Sequence, residues 1–159
     1  MKKNILLIVV FASTFFVACG QSKTKKVETK TVNAALNAEL KKKLSPIAYE
    51  VMVNKGTETP FKNPYHDNHE KGIYVSAATG EPLFSSDDKF DSGTGWPSFS
   101  KPINAKSVAV ATDDSFGMSR DEVVEQANGL HLGHVFNDGP APTGLRYCIN
   151  SAALRFVKQ

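Results

Sequence analysis

At 159 residues, with 41% hydrophobic, 22% charged and 9% aromatic side chains, the chain has room for one globular domain and a little more. That balance excludes a largely disordered protein and one embedded throughout in a membrane. Nineteen Lys and Arg against sixteen Asp and Glu leave a net charge of +3, but the excess sits in Lys2, Lys3 and the stretch from Lys23 to Lys43, so there is no nucleic-acid footprint.

Met1-Lys2-Lys3 followed by the apolar run Ile5 to Ala18 is a charged start and a hydrophobic core too short for the about 20 residues of a membrane-spanning helix. Residues 1–18 therefore read as an export signal. It ends in Phe16-Val17-Ala18-Cys19-Gly20, which resembles a bacterial lipoprotein signal, in which the cysteine is acylated and becomes the mature N-terminus. Phe16 departs from the usual aliphatic residue, and an ordinary secretory signal with an incidental Cys19 is the alternative. The expectation is an exported lipoprotein of the cell envelope, held to a membrane through Cys19. Cys148 is then the single thiol of the mature chain, with no partner for an internal disulfide. An oxidising compartment makes such a residue a functional candidate, against the plainer reading of a small buried hydrophobe.

Residues 19–43 read as a tether and an amphipathic helix. Gln21 to Thr31 is polar and buries little, whereas Val32, Leu36, Leu40 and Leu44 follow helical spacing. Ser45 as an N-cap with Pro46 behind it predicts a second helix over about Pro46 to Asn54, stopped by Gly56. The folded domain is expected over 44–159. From Thr57 on, short apolar runs such as 72–77, 82–84, 107–111 and 145–150 are separated by Gly, Pro, Asn and Asp, and no helical period is sustained. The fold class is mainly β and antiparallel, with long loops and short N-terminal helices.

In a strand at 146–151, period-2 alternation puts Arg146, Cys148 and Asn150 on one face and Tyr147, Ile149 and Ser151 on the other. A guanidinium beside a thiol favours the nucleophilic thiolate, and an Asn amide there can hydrogen-bond to it. His131 and His134 stand three apart, so a flat strand separates them; both reach one site only through a turn or bulge, for which Gly133 is available. Imidazoles suit acid–base work near neutral pH. With Cys148 they also make three metal-ligand types, one short of a closed zinc site. Trp96, the only Trp, lies in the turn-rich Gly93-Thr-Gly-Trp-Pro-Ser-Phe99, either as core or as a ligand wall.

Taken together, Gly56-Thr57-Glu58, the segment 93–99, His131-Leu-Gly-His-Val-Phe136, Asp138-Gly-Pro140 and Arg146-Tyr-Cys-Ile-Asn-Ser151 resemble the B-type methionine sulfoxide reductases in order and spacing over about 44–156. The resemblance implies a fold of two small antiparallel sheets and thiol-dependent reduction of methionine-(R)-sulfoxide. It implies Cys148 as nucleophile, His131, His134 and Asn150 shaping the pocket, Arg146 beside the nucleophile, Trp96 against the substrate methyl, and Phe136 as a further pocket residue. Ser76, Thr79, Glu125 and Asn128 stand where zinc-containing members look to carry two Cys-x-x-Cys pairs, so no bound metal is expected. Thr94 stands where many members place a resolving cysteine.

The expected reaction has the Cys148 thiolate attacking the sulfoxide sulfur while His131 or His134 protonates the departing oxygen. A sulfenic acid results, to be reset by an external reductant, a thioredoxin-like protein or a small thiol. The partners expected are oxidised methionine in proteins or peptides, that reductant and the membrane, with the chain a monomer. Competing classes are a zinc-binding module, a non-catalytic module for oxidised methionine, and a thiol peroxidase.

Overall fold

The computed structural model describes residues 34–114, 117 and 119–159. Residues 1–18, expected to be an export signal, Cys19 and the polar stretch before Thr31 lie outside the described residues, as does Val32. The first helix, α1, spans Ala34–Lys43 and buries only Leu40, with Leu36 and Leu44 half-buried against the core. The second, α2, spans Pro46–Met52; Ser45 caps it by accepting a hydrogen bond from Ala48 N at 3.2 Å, and Ala48, Val51 and Met52 face inward. It ends two residues earlier than expected, and Gly56 is not the residue that turns the chain. Lys55 takes the left-handed conformation instead (φ 58°), an unusual place for a side chain with a Cβ.

Among the described residues, nine strands follow, paired antiparallel. β1 (Gly72–Ser76), β2 (Pro82–Ser85) and β9 (Leu154–Lys158) form a three-stranded sheet in the order β2-β1-β9. The other six are β3 (Lys89–Phe90), β4 (Ser98–Phe99), β5 (Val108–Asp113), β6 (Arg120–Glu125), β7 (His131–Phe136) and β8 (Arg146–Ile149). They form a second sheet in the order β3-β4-β8-β7-β6-β5. The fold is thus mainly β, two antiparallel sheets behind two short helices, as the sequence and its family resemblance imply.

The sheets meet through aromatic side chains. Phe84 of β2 stacks on Phe99 of β4 at 4.5 Å, and Tyr74 of β1 meets the same ring edge-on at 5.1 Å. Each such pair adds about 0.5–1.5 kcal/mol beyond the area it buries. Leu83, Leu130, Leu132, Ile149 and Leu154 complete the core. Packing on one face of β8 by Tyr147 and Ile149 leaves the other face, with Arg146 and Cys148, free to carry chemistry.

A second joint between the sheets is polar, and it holds the four positions where zinc-containing relatives are expected to have cysteines. Glu125, 1% exposed at the end of β6, accepts hydrogen bonds from Ser76 Oγ (3.0 Å), Asn128 Nδ2 (3.1 Å) and Thr79 Oγ1. Ser76 Oγ in turn accepts from the backbone N–H of Ala78 and Thr79, each at 3.2 Å. A buried carboxylate costs far less when its oxygens are matched by donors in this way.

Candidate active site

Register builds the site. Cys148 of β8 pairs with Ser98 of β4 on one side and His134 of β7 on the other, and His134 pairs with Glu122 of β6. Ser98, Cys148, His134 and Glu122 therefore form one row across four strands, with side chains on a common face. One step along the strands, Phe136 pairs with Arg146, and the guanidinium carbon lies 4.4 Å from the ring centre in a cation–π contact.

The bulge that the two histidines require is present. Val123 pairs with Gly133 and Val124 with His131, so β7 carries one extra residue, Leu132, opposite the Val123–Val124 step. The offset brings the rings of His131 and His134 edge to face, 5.3 Å apart. Gly133 answers a second demand as well: a Cβ there would stand 2.1 Å from Cys148 O, so only glycine lets β7 approach the nucleophile's strand.

A cleft of about 130 Å³ opens on this face, lined by Trp96, Arg120, His134, Phe136, Cys148 and Asn150 among others. Trp96 is half-buried, its Nε1–H donating to Glu58 O at 3.2 Å, which settles the indole as a wall of the cleft rather than core. A larger groove of about 600 Å³ between α2 and the turn at 151–155 is lined by no thiol or imidazole. Asn150 lines the cleft, yet its amide is engaged elsewhere: Oδ1 accepts from Glu58 N and Nδ2 donates to Leu132 O, both at 3.1 Å. It ties three segments of the wall together.

The histidines divide. His134 lines the cleft; His131 is 2% exposed, does not line it, and backs its neighbour. His131 Nδ1 donates to Glu122 Oε1 at 2.8 Å, while its Nε2 is buried without a hydrogen-bond partner. His134 Nε2 donates to Asp113 Oδ2 at 3.0 Å, which leaves Nδ1 as its basic nitrogen. Burial lowers the His134 pKa and the Arg120 charge adds to this, against the Asp113 hydrogen bond, so the ring is neutral near pH 7.

The thiol differs from the sequence-based expectation. Arg146 does act on Cys148, but its guanidinium is forked onto Asp138 through Nε at 2.8 Å and Nη2 at 2.9 Å. Burial raises the Cys148 pKa, and hydrogen bonds from Thr94 and Ser98 together with the Arg146 charge only partly offset it. The resting thiol is protonated, because desolvation of the thiolate outweighs a cation already shared with a carboxylate. Thr94 Oγ1 lies 3.8 Å from Cys148 Sγ, so the position expected of a resolving residue does face the nucleophile.

The sequence singles out none of Lys55, Asp113, Arg120 and Glu122, and it marks Glu58 only as part of the motif Gly56-Thr57-Glu58. The Glu58 carboxylate accepts from Ala152 N at 2.8 Å and Ser151 N at 2.5 Å, and its backbone holds both Trp96 and Asn150. Asp113 also accepts from Arg120 Nη2 at 2.8 Å.

Comparison with known proteins gives the same class. The model of the SelR domain matches residues 44–158. The chain belongs to that family, the B-type methionine sulfoxide reductases whose motifs it carries. It is 56% identical over 119 residues to the peptide methionine sulfoxide reductase MsrA/MsrB of Vibrio cholerae serotype O1 (strain ATCC 39315 / El Tor Inaba N16961), a match that covers 75% of this chain. It spans 32% of that relative's length.

Proposed function

We propose that the chain reduces methionine-(R)-sulfoxide in proteins or peptides to methionine, through a Cys148 sulfenic acid that an external thiol resets. The observation that carries this reading is the cross-strand row of Ser98, Cys148 and His134, which sets a free thiol beside a neutral imidazole in a cleft walled by Trp96 and Phe136. Family membership supports the substrate class, and the R epimer follows from the B-type resemblance.

In the resting site the thiol holds its proton and His134 is neutral. His134 Nδ1 takes that proton as Cys148 Sγ attacks the sulfoxide sulfur, and passes it to the sulfoxide oxygen as the S–O bond breaks. The protonated oxygen moves to Cys148 sulfur as the transient bond between the two sulfurs breaks, so methionine sulfur leaves with that electron pair, Cys148 sulfur is oxidised by two electrons, and oxygen and proton end together on Cys148 as S–O–H. The Trp96 face receives the substrate methyl and sulfur, a contact worth about 0.3–1.5 kcal/mol. Resetting then uses two external thiols: the first expels water and forms a mixed disulfide, and the second releases Cys148. A thioredoxin-like protein or a small thiol fills this role, since Thr94 offers no thiol.

Repair takes place in the cell envelope, on a monomeric chain anchored through acylated Cys19. The charged start, apolar run and small residues before Cys19 support that placement. No metal is required; Glu125 with Ser76, Thr79 and Asn128 supplies the joint that four thiolates and zinc would otherwise make.

The test supplies the full chain with dithiothreitol and separated R and S epimers of a peptide methionine sulfoxide. Consumption of R alone, abolished in Cys148→Ser, is expected; a folded, reduced protein that consumes neither epimer overturns the reading. Incorporation of a labelled fatty acid, lost in Cys19→Ser, tests the anchor.

A further inference from the structure

Three features left unused by this chemistry lie along one line. Glu122 is 1% exposed, its carboxylate accepting from His131 Nδ1 and from Lys55 Nζ, each at 2.8 Å. Lys55 holds a left-handed backbone conformation at the end of α2, where glycine or asparagine costs less, and reaches a partner 67 residues away. His131 Nε2 is buried and unpaired, a state that proteins rarely leave unexplained. Burial alone raises the Glu122 pKa, but the hydrogen bonds and charges of His131 and Lys55 bring it below the ordinary value, so the carboxylate is ionised.

A carboxylate on Nδ1 fixes a proton there, and a buried Nε2 with no acceptor to meet makes the Nδ1–H tautomer the form this geometry fits. The same contact fixes the ring's rotation, and the ring packs edge to face against His134, the imidazole that lines the cleft. Lys55 neutralises the buried charge from the solvent side, its side chain 57% exposed.

We propose that Glu122, with Lys55 as its counter-cation, is a positioning device for the reaction: it locks His131 as the Nδ1–H tautomer and so sets the orientation of His134 over Cys148. This inference rests on the reductase reading above. Neither residue touches the cleft, so their effect falls on the chemical step and not on substrate binding.

The experiment combines long-range ¹H–¹⁵N spectra of the histidine rings with steady-state kinetics on a peptide methionine-(R)-sulfoxide and dithiothreitol. The wild-type spectrum is expected to show His131 protonated at Nδ1 and bare at Nε2. In Glu122→Gln the tautomers should mix and kcat fall at least about tenfold with KM unchanged, as losing the orientation of a proton carrier does. Lys55→Met, at a side chain 57% exposed, should lower kcat in the same sense in the folded protein, and Lys55→Arg should keep it near the wild-type value. A wild-type His131 protonated at Nε2, or folded Glu122→Gln and Lys55→Met proteins with wild-type kcat, overturns the inference while leaving the reductase reading intact. A wild-type chain that reduces neither epimer overturns both.

Discussion

Thr94 Oγ1 and Cys148 Sγ stand 3.8 Å apart, across the gap that a disulfide would close. Thr94→Cys should therefore convert the oxidised product. On the proposed mechanism, one turnover of the native protein should leave a sulfenic acid that dimedone traps, whereas the variant should lose two hydrogens by mass and resist dimedone. Persistent dimedone labelling in the variant would show that the loop at 93–96 cannot bring the second sulfur into bonding geometry.

The burial that raises the Cys148 pKa sets a pH signature. Raising a thiol's pKa disfavours the charged form, so thiolate accumulates only at pH above the ordinary thiol value. Alkylation of the free protein by iodoacetamide should be slow at pH 7 and climb through the alkaline range without levelling off near that value. Arg146→Gln, which removes the offsetting charge, should shift the climb further up. A plateau already reached at neutral pH would contradict the protonated resting thiol.

Glu125 is the acceptor for Ser76, Thr79 and Asn128 at once. Glu125→Ala should lower stability by about 1–3 kcal/mol or more, because it strands buried donors. Glu125→Gln should be milder for chain shape but still leave donors facing an amide nitrogen. Thermal unfolding measures both. Replacing the four together, Ser76→Cys, Thr79→Cys, Glu125→Cys and Asn128→Cys, should yield a protein that binds zinc stoichiometrically and loses stability on chelation.

Gly133→Ala should be among the most damaging single methyl additions in the sheet. Its Cβ would meet Cys148 O at 2.1 Å and Ile149 Cα at 2.9 Å, both backbone atoms that cannot swing aside. The expected outcome is insoluble protein or a large fall in unfolding temperature with activity lost, while Gly93→Ala, whose Cβ meets nothing within 4 Å, bears only the cost of its positive φ.

Much of this was legible in the residues. Alternation over 145–150 located β8 and put Arg146 and Cys148 on one face, and the spacing of His131 and His134 required the bulge that β7 has. What escaped was charge in unexpected places. Arg120-Asp-Glu-Val-Val-Glu125 carries four charges in six residues and falls in none of the apolar runs that mark strands in the sequence, yet it is β6, its Glu122 and Glu125 buried against partners from distant segments. Nothing in the sequence marks Lys55, and only the fold shows its ammonium at Glu122. The protonation of Cys148 lies beyond the sequence for the same reason: the adjacent cation is visible in one dimension, but neither the depth of burial nor the Asp138 that shares that cation is.

The extra residue at Leu132 carries a consequence for how such a site tolerates change. Substitutions around it alter the strength of individual contacts and can be repaired one at a time. Were β7 to run flat through the same six residues, the odd spacing would instead turn one imidazole to the opposite side, dismantling the pair without changing either histidine. The pocket is thus encoded in the pairing register of this strand as much as in the kinds of residue that line the cleft.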